Sequence, residues 1–152
     1  MQPRMKNPAA ILPEAMAPVQ ALWAAAQKGG VPEKLLHLVH LRVSQINGCS
    51  VYIDGGWRGA KKDGETDERL FAVAAWRHAP YFSDAERSAL ALAEALTRIA
   101  DRPDPVSDEV YEAAKKHFDE RQLAALILAV ATVNVWNRCN VATAQVAGVW
   151  KP

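Results

Sequence analysis

Signals that begin and end helices recur along the whole chain, and the alternation of apolar and polar residues that marks strands is nearly absent. Prolines, glycines and capping residues separate stretches whose apolar side chains recur at helical spacing. The predicted helices span residues 14–27, 32–46, 49–62, 66–76, 84 to about 99, 108–118 and 123–144. This pattern predicts an all-α fold of six to seven helices, forming one domain over residues 1–152 with residues 1–10 as an N-terminal extension.

Two capping boxes and one turn signal give the sharpest local predictions. Ser83 is followed by Glu86, and Asp119 by Gln122, at the spacing that lets each pair cap a helix start. The Asn47–Gly48 pair is a break between two predicted helices. Because short connections join helices that pack antiparallel, we expect the helices on either side of residues 47–48 to lie against each other.

Charge and cysteine content exclude several classes of protein. Lys plus Arg is 18 and Asp plus Glu is 17, which gives a net charge of +1 without a basic block. We therefore expect no nucleic-acid partner and no binding to an anionic membrane. Two cysteines are too few for a disulfide scaffold. The apolar run 123–135 is interrupted by Thr132 and Asn134, and no secretion signal begins the chain, so we expect a cytoplasmic protein with no membrane span.

Five segments, in order along the chain, carry a family resemblance. They are LRVSQINGC at 41–49, GETDERL at 64–70, AAWR at 74–77, ALALAEA at 89–95 and VWNR at 135–138. With these segments the sequence resembles the alkyl hydroperoxidase D-like branch of the carboxymuconolactone decarboxylase family. The resemblance implies an all-helical fold that assembles into homo-oligomers.

The peroxidase site of that family is only partly matched here. It consists of a glutamate, a Cys-x-x-Cys pair after eleven residues, and a histidine four residues beyond the second cysteine. The resemblance places Cys49 at the first cysteine, whereas Tyr52, Gly56 and His37 stand at the positions of the second cysteine, the histidine and the glutamate. Because the family's cycle needs two thiols within disulfide reach, we expect no peroxidase turnover of that kind.

The departures from the family pattern cluster around one predicted helix. Two helical glycines, Gly55 and Gly56, cost about 1 kcal/mol each relative to alanine, so a compensating role is expected. We interpret the cluster as a site rebuilt by selection or by deliberate engineering to hold a ligand; the alternative is a relative that has lost its activity. The rebuilt site predicts a cavity bordered by His37, Tyr52, Gly55, Gly56 and Trp57, with Cys49 at or near its edge.

One chemistry for such a site is acyl transfer or ester hydrolysis, which would make the protein a hydrolase. Cys49 is the candidate nucleophile at a helix start, His37 the base and Tyr52 the donor to an oxyanion. Gly55, Gly56 and Trp57 would contact the substrate, and Cys139 is an alternative nucleophile. Two other readings stay open: a vestigial or residual peroxidase-like antioxidant protein, and a non-catalytic protein that binds a small molecule.

Other candidate residues are interpreted more simply. His40 is predicted to be a solvated or hydrogen-bonded helix histidine, and Lys61, Lys62 and Asp63 a solvated helix end. Trp23, Trp76, Trp136 and Trp150 are predicted to be packing residues. A metal site built from His37, His40 and Cys49 has weak spacing, so no metal and no cofactor is predicted. The expected partners are a small-molecule ligand or substrate and further copies of the chain.

Overall fold

The computed structural model describes residues 1–148 and contains helices without strands over that range. The α-helices are α1 (Pro8–Ile11), α2 (Met16–Gln27), α3 (Glu33–Ile46), α4 (Ser50–Lys62), α5 (Asp67–Ala72), α6 (Asp84–Thr97), α7 (Asp108–Lys115) and α8 (Glu120–Ala142). Short 3-10 turns cover Pro13–Ala15, Val73–Ala75 and Ile99–Asp101. The predicted all-α fold is therefore confirmed. The described residues hold eight helices instead of six to seven because α1 forms inside the stretch that we expected to be an extension.

The helix starts follow from local capping chemistry. Both predicted capping boxes form: the Ser83 and Asp119 side chains accept from the backbone N–H groups of Glu86 and Gln122, whose side chains bond back to the capping residues. Asn7 caps α1 by accepting from the Ala9 N–H, and a proline occupies the first helical position. Ser107 precedes α7 without a capping bond from its side chain, and α7 ends at Lys115, three residues before the predicted end.

The helices α3 and α8 form the centre of the structure. The central helix α8 packs against α2, α3, α6 and α7, and α3 packs against α4, α6 and α8. The largest buried cluster includes Leu36, Val39 and Val43 of α3 together with Leu126 and Val133 of α8. By length and composition α8 is also apolar enough to cross a membrane, but half of its most apolar window is buried inside the protein, as in a core helix.

A buried group of amides fixes the end of α3 against α8. The Asn47 side chain donates to Asn134 Oδ1 and to Asn137 Oδ1, both at 2.9 Å. Asn137 in turn donates to Ser44 Oγ at 3.3 Å, and Arg138 donates to Asn134 Oδ1 at 2.7 Å. Because Ser44, Asn134 and Asn137 are buried, their hydrogen bonds are satisfied in one alignment of the two helices.

A second polar network joins α3, the turn after α5, and α6. The Glu94 carboxylate receives Arg42 and Arg77 at 2.6 Å each and the Trp76 indole N–H at 3.0 Å. Burial alone would raise the pKa of Glu94, but the bonds from Trp76, Arg77 and Arg42 outweigh it and hold the pKa below the usual value. These four residues all lie in segments that carry the family resemblance.

Two glycines shape the packing around the site, Gly48 in a turn and Gly29 at a close helix contact. Gly48 has a φ of +64°, which lets the chain reverse between α3 and α4 within three residues. A Cβ at Gly29 would lie 2.2 Å from the Ala125 Cβ, so the end of α2 packs directly on α8. The turn places α4 against α3, and the close approach places the end of α2 against α8.

Candidate functional site

A cavity of about 700 Å³ lies where α2, α3, α4 and α8 meet. Its wall is mostly apolar, with Trp23 from α2, Tyr52 from α4 and Trp136 from α8. His37 and His40 from α3 and Asn140 from α8 add polar side chains to the lining, although the Nε2 atom of His40 is itself buried. The predicted cavity border is present for His37, Tyr52, Gly55 and Gly56, which all line the space.

The pairing of α3 with α4 places the two histidines differently from the expectation. A Cβ at Gly56 would lie 3.6 Å from the His40 ring, whereas a Cβ at Gly59 would lie 3.4 Å from Cε1 of His37. His40, and not His37, therefore faces the position at which the family has its histidine. His37 and Gly56 were predicted to border the same cavity, and both do, but the residue that packs against His37 is Gly59, about one helical turn from Gly56.

His40 is a strongly perturbed group of the cavity wall. Its ring packs against Tyr52, with centroids 4.9 Å apart, and meets the Trp23 ring edge-on at 5.9 Å. Burial, and to a smaller extent the nearby His37, lowers the pKa of His40 to about 4. Its Nε2 atom has no hydrogen-bond partner within residues 1–148. The neutral ring therefore offers an unused polar atom, contrary to our interpretation of His40 as a solvated or hydrogen-bonded histidine.

His37 lies at the outer edge of the cavity and is paired. Its Nε2 atom lies 2.6 Å from Oδ2 of Asp63, the residue that follows α4. An ionised carboxylate can only accept, so Nε2 carries the proton and the Nδ1 lone pair is left for another partner. Asp63 is thus a partner of His37, and not the simple solvated helix end that the sequence suggested.

Tyr52 closes one side of the cavity. The side chain is half-buried and packs against the main core cluster. Burial, with smaller contributions from the Cys49 and Cys139 thiols, raises the pKa of Tyr52 well above its usual value. The hydroxyl therefore keeps its proton at neutral pH and can donate a hydrogen bond.

Neither cysteine lines the cavity. Cys49 is buried with 1% exposure, precedes α4 as its capping residue, and has its Sγ 3.6 Å from the Asn140 Nδ2 donor. Cys139 is half-buried on α8. Asn140, which contacts the Cys49 thiol, does line the cavity. The expected position of Cys49 at the cavity edge is met only through this asparagine.

The aromatic lining also differs from the expectation. Trp57 is 37% exposed and lies outside the cavity lining, so the predicted contact between Trp57 and a ligand has no geometric basis. Trp23 and Trp136, predicted to be packing residues, line the cavity instead. They come from helices far apart in sequence, and no local motif signals their meeting.

One signal would have found His40. Residues 40 and 56 both lie eight positions from Gly48, and residues 37 and 59 both lie eleven positions from it. In an antiparallel pair joined by a tight turn, positions equally distant from the turn face each other. The sequence therefore contained the pairing that the structure shows.

The fold and cavity define an all-helical protein that encloses a small-molecule-sized space with histidines in its wall. The chain belongs to the carboxymuconolactone decarboxylase family, whose pattern matches residues 13–95. It is 34% identical to the uncharacterized protein YdfG of Bacillus subtilis over 87% of this chain and 88% of YdfG.

Solved structures share the whole fold. A protein of unknown function from Agrobacterium tumefaciens, named as a candidate AhpD antioxidant defence protein, superposes with a TM-score of 0.90 at 29% identity, covering 98% of this chain and 100% of that one. The debrominase Bmp8 superposes with a TM-score of 0.81 at 18% identity, covering 92% of this chain and 74% of that one. At that identity the likeness to Bmp8 shows the fold alone.

Proposed function

We propose that this protein is a small-molecule enzyme in which His37, held by Asp63, acts as a general base on a largely apolar ligand bound against His40. The observation that carries the proposal is the 2.6 Å contact between His37 Nε2 and Asp63 Oδ2 at the edge of the cavity. A carboxylate that orients a histidine in this way fixes its tautomer and stabilises the imidazolium formed when the ring takes a proton.

The cavity wall supports a flat ligand that carries one hydrogen-bonding group. Trp23, Trp136 and Tyr52 supply aromatic faces, and His40 Nε2 is the buried atom that needs a partner. A ligand hydroxyl can serve either tautomer of His40 because it both donates and accepts. The proposed ligand class is therefore a small aromatic molecule with a hydroxyl or similar group.

Hydrolysis is the simplest reaction for this arrangement. A water held by the His37 Nδ1 lone pair would attack the acyl carbon of a bound ester while His37 takes the water proton. The alcohol then leaves with that proton, and the acid is released. Gly59 favours this route because its missing side chain leaves the Cε1–Nδ1 edge of His37 uncovered.

A thiol route through Cys49 fits the geometry less well. Cys49 is buried in contact with Asn140, and both cysteines lie outside the lining, so neither thiol meets a ligand in the cavity. The two routes are separated by kinetics, since a thiol nucleophile forms an acyl-enzyme and gives a burst of product.

The activity test uses a 2-naphthyl acetate substrate with the full chain. We expect linear product release without a burst, and a loss of about 100-fold in kcat/KM for His37→Ala. Cys49→Ser should retain the rate, and so should His78→Ala, which changes an exposed histidine outside the cavity. A burst that Cys49→Ser abolishes would assign the reaction to the thiol, and equal rates for His37→Ala and the unaltered protein would refute the proposal.

The binding test compares 2-naphthol with 2-methylnaphthalene, which has the same shape without the hydroxyl. We expect roughly tenfold tighter binding of 2-naphthol, because a hydrogen bond to a buried polar atom is worth about 1–2 kcal/mol. His40→Phe should remove that difference. Bmp8, which shares the fold, has been crystallised with 2,3,4-tribromopyrrole, and this guides the choice of a flat aromatic probe. Equal affinities for the two probes would show that His40 does not contact the ligand.

We further propose that the chain assembles with itself through the outer face of α8. Exposed apolar residues recur on that face at helical spacing: Ala124, Leu128, Ala131, Val135 and Ala142. Exposed apolar side chains at helical spacing are stabilised when a second helix covers them. Light scattering should give a multiple of 16.6 kDa, and Leu128→Lys should reduce it. A mass of one chain at working concentration would contradict this proposal.

A further inference from the structure

We propose that Glu33, His37 and Asp63 form a binding site for one divalent transition-metal ion, with Zn²⁺ as the probe, at the mouth of the cavity. One possible ligand atom from each residue lies within 4.8 Å of the other two. One imidazole nitrogen and two carboxylate oxygens are a donor set that binds zinc and related ions. Metal binding is a property separate from the proposed hydrolysis, and it can be measured without any substrate.

The backbone supports three converging ligands. Glu33 and His37 are four residues apart in the first turns of α3, so their side chains lie on one face of the helix. Asp63 follows the last residue of α4 and already contacts His37 Nε2. Metalloproteases bind zinc with the same spacing, in which two ligands at i and i+4 lie on one helix and a third comes from another element.

Small side-chain movements bring the ligand atoms to coordination distances. Ligands about 2.0–2.2 Å from a tetrahedral zinc ion lie roughly 3.3 Å from one another. For Nε2 of His37 to bind the ion, the ring takes the tautomer with its proton on Nδ1. The His37–Asp63 pair, at 2.6 Å, then opens by under about 1 Å. Glu33 is exposed and accepts only a long hydrogen bond, at 3.3 Å, from Gln27 Nε2, so its carboxylate is free to turn toward His37 and Asp63.

The charges near the cluster also suit a cation. Two carboxylates offset the ion's double charge. Lys34 lies beside the cluster and donates to the Gly64 carbonyl at 3.3 Å, so the two carboxylates must also oppose its charge. Lys61 is paired with Asp67 at 3.1 Å. Both Glu33 and His37 line the cavity, so the remaining coordination positions face the ligand space. Three protein ligands with an open position are typical of catalytic zinc and not of structural zinc.

The test titrates untagged, chelator-treated protein with ZnSO₄ by calorimetry. We expect one ion per chain, and binding at least about tenfold weaker in His37→Asn and in Glu33→Gln, because each removes one of three ligands. His78→Asn is the matched control, since His78 is exposed and lies outside the cluster. Cobalt should give intense visible absorption in the unaltered protein, which His37→Asn reduces. Circular dichroism confirms that each variant is folded.

Three results would overturn the proposal: no saturable zinc binding, equal zinc affinity in His37→Asn and in His78→Asn, or binding that disappears when the two thiols are alkylated. The metal-free protein is assayed in parallel for 2-naphthol binding and ester hydrolysis. Zinc binding without hydrolysis would leave the metal site standing and refute the general-base enzyme. Hydrolysis by the metal-free protein without zinc binding would refute the metal site and leave the general-base enzyme standing.

Discussion

The neutral state of His40 makes a pH-dependent contribution to stability whose size follows from the structure. Its pKa is 6.5 in an unfolded chain and about 4 when folded, because burial disfavours the charged ring. Between these values the unfolded chain binds a proton that the folded chain does not bind. The free energy of unfolding therefore falls as the pH falls from about 6.5 to 4, and nothing is lost above that range.

The magnitude is large enough to measure. The full pKa difference corresponds to about 3 kcal/mol, and roughly 2 kcal/mol is already lost at about pH 5. The test substitutes His40→Phe, which keeps an aromatic ring beside Tyr52 and Trp23 and removes the titrating nitrogens. Between about pH 7.5 and pH 5, the unaltered protein should lose roughly 2 kcal/mol more stability than His40→Phe.

Urea unfolding followed by circular dichroism measures both proteins over this range. His78→Phe serves as a control because His78 is exposed, and it should follow the pH dependence of the unaltered protein. If His40→Phe and the unaltered protein lose the same stability within about 0.5 kcal/mol, folding does not lower the pKa of His40, and His40 is not buried as a neutral ring in the cavity wall.

Further predictions concern packing, capping, ion pairing and redox chemistry. Gly29→Ala should destabilise by about 1–3 kcal/mol in thermal unfolding because its Cβ would clash with Ala125, and adding Ala125→Gly should recover much of the loss. Asp119→Ala should cost about 1 kcal/mol in urea unfolding through the lost cap of α8. Glu94→Gln should cost roughly 3 kcal/mol, since two arginines lose their counter-charge. A steady-state hydroperoxide assay with a dithiol reductant should show no turnover, because Tyr52 replaces the second thiol; sustained turnover would mean that another cysteine resolves the first.

The fold was predictable because its signals are local. Each capping box is contained within four residues, so Ser83 and Asp119 mark the starts of α6 and α8 whatever surrounds them. The break at Asn47–Gly48 is likewise local, because Gly48 tolerates the positive φ that the turn requires. The short helix α1 was missed because four residues are too few to show a helical period, although Asn7 and Pro8 are a recognisable start.

The candidate site was less predictable because it depends on which faces meet. Tyr52 and Gly56 could be placed at the cavity from the family pattern, but the choice between His37 and His40 depends on helix pairing. Trp23 and Trp136 reach the cavity from α2 and α8, which are neighbours in space and distant in sequence. The electrostatic role of Asp63 also follows from that pairing, since it meets His37 across 26 residues.

The amide group around Asn47 sets the axial position of α8 relative to α3. Apolar contacts carry no preferred direction, whereas each amide hydrogen bond needs its partner at one place along the helix, and displaced amides would lose those partners. Trp136 and Asn140 lie on the same helix as Asn137, so the amides also determine how far these side chains reach into the cavity. The dimensions of the ligand space are thus set by residues outside its lining, and ligand selectivity can change through substitutions that never touch the ligand.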